Sequence, residues 1–223
     1  MFFSPLVLVV MLFFFIGLVV LFIVVQIGAI SYVFEKIGVP PAYMFSLLML
    51  SWFGSWVNIP ITRLRSEDDN YDGEIVTFFG QRYVIPRLRQ RRETVLAINL
   101  GGAVVPCLLS LYLLTRAQAP VRVLIATAGV AAVTHHLARP VEGLGIAVPL
   151  LIPPLCAALA ALILTPEQAP LTAYVSGTMG TLIGADLLNL HRIRGLRAPV
   201  ASIGGAGTFD GVFVTGIIAV LLA

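Results

Sequence analysis

The chain has 223 residues, of which 59% are hydrophobic and only 11% charged, and its mean hydropathy is +0.99. Those values lie outside the range of water-soluble globular domains and point to an all-α, polytopic transmembrane helical bundle, one integral membrane domain over 1–223 with the lipid bilayer around it. The net charge of +3 comes from basic residues gathered in particular loops, which reads as a topology signal and argues against nucleic acid as a partner.

The first apolar run, 3–34, would be about 45 Å long as one helix, longer than a hydrocarbon core, so it tilts or projects beyond the bilayer. It has no basic leader or small-residue cleavage site and far exceeds the apolar region of a signal peptide, so it is expected to stay as the first span. Glu35-Lys36-Ile37-Gly38-Val39-Pro40-Pro41 is a compact turn, with glycine closing one helix and proline opening the next. The second span, 42–61, ends in Asn58-Ile59-Pro60, where a proline frees a backbone carbonyl beside an amide side chain.

Residues 62–93 form the long polar region, a cytoplasmic insertion that begins acidic (Glu67, Asp68, Asp69, Asp72, Glu74) and ends basic (Arg82, Arg87, Arg89, Arg91, Arg92). Between these patches, 74–86 is rich in β-branched and aromatic residues around Gly80. It reads either as a small hairpin or interfacial flap or as a solvated connector.

The third span, 94–114, carries Asn99, Gly101, Gly102 and Pro106. The fourth, 121–137, is short and ends at His135 and His136. Adjacent histidines on a helix point about 100° apart, so they read as interfacial residues rather than as ligands to one ion. The fifth, 144–164, holds Pro149, Pro153 and Pro154 and is expected to be kinked or broken in the membrane, against protein or a wet cavity. The sixth and seventh cover 169–190 and 203–223. Cys107 and Cys156 lie in apolar runs without metal-type spacing, so no disulfide framework, metal site or cofactor is expected.

Loops after spans two, four and six hold eleven Lys and Arg residues, against three after spans one, three and five. That asymmetry puts the N-terminus in the cytoplasm and the C-terminus outside, for a multi-pass protein of a prokaryotic inner or plasma membrane.

Two acids stand inside the apolar segments. Asp186 lies five residues before His191, and Asp210 lies seven after Ile203, within Gly204-Gly205-Ala206-Gly207-Thr208-Phe209-Asp210-Gly211. Both fall roughly 7 to 11 Å inside the cytoplasmic boundary, on consecutive antiparallel helices. An ionisable residue at that depth is a functional-site candidate. Two carboxylates sharing such a site cannot both stay ionised, so the pair holds one proton near neutrality, and one acid can act as base while the other acts as acid. Gly180 and Gly184, and Gly207 and Gly211, allow close helix approach. On an ideal helix, however, Asp186 is about 200° from Gly184. Either the glycine face of span six packs on a third helix while Asp186 faces span seven, or the acids do not meet.

Other readings of the same residues stay open. A cation- or proton-coupled transporter or channel would use glycine-rich, proline-broken helices beside the carboxylates. A non-catalytic scaffold would pair Asp186 with Arg139 or a loop arginine and let Asp210 accept from Thr208, Ser202 or a backbone amide. Asn58, Asn99 and Asn189 read as interhelical hydrogen-bonding groups. No phosphate loop, Gly-x-Ser-x-Gly elbow or His-Glu-x-x-His pair occurs.

The stretches Ala173-Tyr174-Val175-Ser176-Gly177, Gly184-Ala185-Asp186-Leu187-Leu188-Asn189-Leu190 and Gly204 to Gly211, with Arg139-Pro140 and Asn58-Ile59-Pro60, resemble a family of small polytopic prokaryotic membrane proteins of unknown function. A second resemblance is to intramembrane aspartyl proteases of the presenilin and signal-peptide-peptidase type. It rests on the order of the acids, on consecutive spans, on depth, and on glycines ahead of the second acid. Ala185 stands where that family has tyrosine, Thr208-Phe209 separates the glycines from Asp210, and Pro154-Leu155 replaces the Pro-Ala-Leu motif. This resemblance implies Asp186 and Asp210 as the catalytic pair and a transmembrane peptide as substrate. Gly205, Gly207, Thr208, Asn189 and Arg139 are candidate substrate-binding residues around the pair; the transporter reading puts a small cation there instead.

Overall fold

A computed structural model describes residues 5–65, 74–78, 81–85, 93–141, 145–195, 200–205 and 211–223. Helix predominates. Among the described residues seven α-helices occur, one in each expected apolar segment: α1 (Pro5–Lys36), α2 (Pro41–Gly54), α3 (Val105–Arg116), α4 (Pro120–Leu137), α5 (Ile152–Leu164), α6 (Ala169–Thr181) and α7 (Gly211–Leu222). Two are long and apolar enough to cross a bilayer, Met11–Lys36 within α1 and Pro120–Leu137. Helices α2, α3, α5, α6 and α7 have 12 to 14 residues, about 18 to 21 Å at 1.5 Å per residue.

The expected spans are shortened by strands. β1 (Asn58–Arg65), β4 (Glu93–Asn99) and β7 (Val200–Ile203) form a three-stranded sheet in the order β1-β4-β7. β1 runs antiparallel to β4, Asn58 opposite Asn99, with an irregularity between Pro60 and Thr62; β7 runs parallel to β4, Val95 opposite Val200. The sheet corrects both the helical reading of 58–61, 94–99 and 203 and the all-α class. Pro60 is tolerated because β1 is an edge strand, where a missing N–H breaks no central ladder. Leu96, Ala201 and Ile203 bury one face of the sheet against Leu182, Ile193 and Val212. Within the polar insertion, β2 (Glu74–Phe78) pairs antiparallel with β3 (Gln81–Ile85), the hairpin alternative of the sequence reading. A second small hairpin joins β5 (Arg139–Val141) to β6 (Gly145–Ala147).

The turn between α1 and α2 follows local chemistry. Gly38, at φ 77°, takes the left-handed position after the helix; its N–H bonds to Glu35 O at 3.0 Å, and Val39 N–H bonds to Phe34 O at 2.9 Å. That pattern satisfies the last helical carbonyls, and the buried side chains of Phe34 and Val39 close over it. Pro41 then occupies the first turn of α2, where its missing N–H costs nothing. Before its last two turns, where Val33 and Phe34 are buried, α1 stands clear of the bundle, with Phe13, Phe14 and Phe22 between 63% and 69% exposed.

Helix α6 is the centre of the bundle, with nearly every residue from Ala169 to Leu182 buried. Its glycines admit the neighbours. A Cβ at Gly177 would stand 3.3 Å from those of Ala157 (α5) and Ala219 (α7), and one at Gly180 would stand 2.7 Å from Val130 Cβ of α4. At Gly216 of α7 the side chains of Tyr174 and Thr178 occupy the space a Cβ would need.

Candidate functional site

The helical runs of α3 and α6 each continue through a π turn, Leu100–Val104 ahead of α3 and Leu182–Asp186 after α6. Asp186 is the last residue of the second. Two residues earlier, Gly184 lies against Ala131 O and Thr134 of α4. The glycine face of α6 therefore packs on α4, the first alternative of the sequence reading for that face. Asp186 points elsewhere: its Oδ2 accepts the Gly204 N–H at 2.7 Å.

Gly204 and Gly205 follow β7 directly, with φ of 80° and 94°, and Gly205 N–H bonds back to Ser202 O at 3.1 Å. Both residues need the left-handed freedom of glycine. Gly204 also needs the absence of a side chain, because a Cβ there would stand 2.6 Å from Ala103 N and Cβ. In return, Gly204 O fills the place of a Cβ on Gly102. The turn is clamped between the first π turn and the Asp186 carboxylate.

The first π turn is itself fixed by Asn99, which is 1% exposed. Its Oδ1 accepts from Gly102 N at 2.7 Å, and its Nδ2 donates to Ser55 O at 2.6 Å and Asn58 Oδ1 at 3.1 Å. Ser202 Oγ donates to the same Asn58 oxygen at 2.6 Å, and Ser51 Oγ donates to Gly101 O at 2.8 Å. The amide thus joins α2, β1, β7 and the start of α3 in one network. Unpaired polar groups would be costly here, and pairing them makes the junction rigid.

Asn189, fully buried in the 3-10 segment Leu187–Gly195, donates through Nδ2 to Gly184 O at 2.8 Å and Ala185 O at 3.0 Å. It closes the C-terminal end of the α6 run, one turn from the acid, and does not reach between helices. Gly205 stands in the turn beside the Asp186 partner. Arg139 lies exposed on β5. Gly207, Thr208 and Asp210 fall outside the described residues, so the Asp186 and Asp210 pair does too. Among the described residues no three of His, Cys, Asp and Glu stand close enough to hold a metal ion.

Asn58, Asn99, Ser51, Ser55 and Ser202 form a framework that sequence reasoning did not assemble. One local signal was readable: Pro106 in the first turn of α3 marks a helix beginning near 105, with Asn99 as the cap of the turn before it. No curated protein and no solved structure matches the chain. Residues 52–222, which include the sheet, both π turns and Asp186, match the protein family of unknown function DUF1614, and the chain belongs to that family.

Proposed function

We propose that the chain is a multi-pass membrane protein of a prokaryotic inner or plasma membrane, N-terminus cytoplasmic, whose chemistry is aspartyl proteolysis of transmembrane peptides at Asp186 and Asp210. Mean hydropathy of +0.99, the two helices of spanning length and the exposed apolar length of α1 support the membrane setting. One observation carries the site. The hydrogen bond from Gly204 N–H to Asp186 fastens the end of the α6 run to the head of the glycine-rich stretch that contains the second acid. One carboxylate takes a proton from water as the hydroxyl adds to the peptide carbonyl carbon. The other protonates the carbonyl oxygen, and proton return to the amine nitrogen lets the C–N bond break. Gly205, Gly207 and Thr208 offer backbone groups and a hydroxyl to the peptide, Asn189 holds the helix end that presents Asp186, and Arg139 serves as a more distant substrate contact.

The test is cleavage of a transmembrane peptide reporter in liposomes by wild type, Asp186→Asn and Asp210→Asn. Asparagine at 186 keeps an oxygen acceptor for Gly204 N–H, so the fold is expected to survive. Each variant is expected to lose cleavage by about 10²-fold or more, the contribution of a general acid or base. Wild-type rates in either variant would overturn the assignment.

A second reading rests on the π turn at Asp186. Interrupted helices expose backbone groups beside a carboxylate, the arrangement of cation- and proton-coupled transporters. It predicts pH- or sodium-dependent flux in the same liposomes, abolished by Asp210→Asn, with no cleavage.

A further inference from the structure

Away from Asp186, α2 and α3 enclose an apolar groove of about 660 Å³. Tyr43, Leu47 and Leu50 line it from α2, and Leu108, Tyr112 and Arg116 line it from α3. Gly54, at the end of α2, touches Gly101, just ahead of α3, so the two helices run antiparallel. The groove therefore has two unlike ends. Tyr43, Tyr112 and Arg116 gather at one, and Leu50 lies toward the other. The Arg116 guanidinium lies 4.9 Å from the centre of the Tyr112 ring, which holds the cation at the mouth of the groove.

Length and charge select an occupant. From Val105 to Arg116 the groove is about 16 Å long, close to one leaflet of a roughly 30 Å hydrocarbon core. Extended alkyl chains fit an apolar slot of that length. A cation and two tyrosines at one end of a leaflet-deep apolar slot match an anionic head group at the interface.

We propose that this groove binds an anionic phospholipid, with acyl chains between α2 and α3 and the phosphate on Arg116. The proposal rests on the membrane setting and is independent of any chemistry at Asp186. Purified full-length protein in detergent, offered equimolar dioleoyl phosphatidylglycerol and dioleoyl phosphatidylcholine, is read by native mass spectrometry. Wild type is expected to retain phosphatidylglycerol over phosphatidylcholine by about fivefold, the scale of one arginine at a lipid surface. Arg116→Gln is expected to bring that ratio near one, and Arg116→Lys to keep most of it. Leu108→Trp, which fills the slot, is expected to lower the number of both lipids bound. Thermal unfolding of each variant checks the fold, and if Arg116→Gln unfolds, the lysine and tryptophan variants decide. An unchanged ratio in Arg116→Gln, equal retention of the two lipids by wild type, undiminished lipid in a folded Leu108→Trp, or a copurifying peptide in place of lipid would each overturn the proposal.

Discussion

Gly38 and Gly204 have nearly the same backbone, φ 77° and 80°, in different surroundings. A Cβ at Gly38 meets nothing within 4 Å, whereas at Gly204 it would stand 2.6 Å from Ala103 and 2.7 Å from Gly102 C, inside van der Waals contact. Gly38→Ala therefore costs only the left-handed conformation, about 1 to 2 kcal/mol. Gly204→Ala adds overpacking of about 1 to 3 kcal/mol, because backbone and a short side chain cannot move aside as the end of a long one would. At about 2 to 4 °C per kcal/mol for a chain of this length, Gly38→Ala is expected to lower Tm by about 4 °C and Gly204→Ala by about 10 °C. Thermal unfolding of both variants in one detergent measures the difference directly. Gly38→Asn serves as control, since asparagine tolerates the left-handed region and its loss should be smaller. Equal losses for the two alanine variants, or a smaller loss at 204, would refute the clamp around the turn.

Asn99→Ala removes a cap and leaves Ser55 O without the amide donor and Asn58 with one donor fewer. A loss of about 2 to 4 kcal/mol is expected, measured by thermal or denaturant unfolding. Along α4 and α6 two glycines behave oppositely. Gly129 is exposed with nothing within 4 Å of a Cβ, so Gly129→Ala is expected to be neutral or to stabilise by up to about 1 kcal/mol. Gly180→Ala meets Val130 and is expected to destabilise by about 1 to 3 kcal/mol. The same unfolding assay reads both.

What the sequence discloses here depends on how far apart the determining residues lie. The turn at Gly38 and Pro41 is legible because its hydrogen bonds join residues within five of one another. The strands are not. Val95, Leu96, Ala97 and Ile98 form an unbroken apolar run, and a buried strand of that kind has the same appearance as a helix end when read by periodicity. Its partner Val200–Ile203 is a hundred residues away and apolar but for Ser202. For the site, Asp186 stands out as an acid in an apolar segment, but the Gly204 backbone N–H that it accepts from is announced by no side-chain pattern. The face it takes is undetermined on an ideal helix and is fixed by the packing of Gly184 on α4 and by the π turn that Asp186 closes.

The hydrogen bond between Ser202 and Asn58 spans 144 residues of chain. At synthesis rates of about 5 to 20 residues per second, Asn58 emerges some 7 to 30 s before its partner exists. From the time β4 is made until β7 follows, β4 has one ladder edge unfilled and Asn58 lacks one of its two donors. The junction is therefore finished by the last tenth of the polypeptide, and a chain arrested before β7 would carry every helix from α1 to α6 without the clasp that closes them.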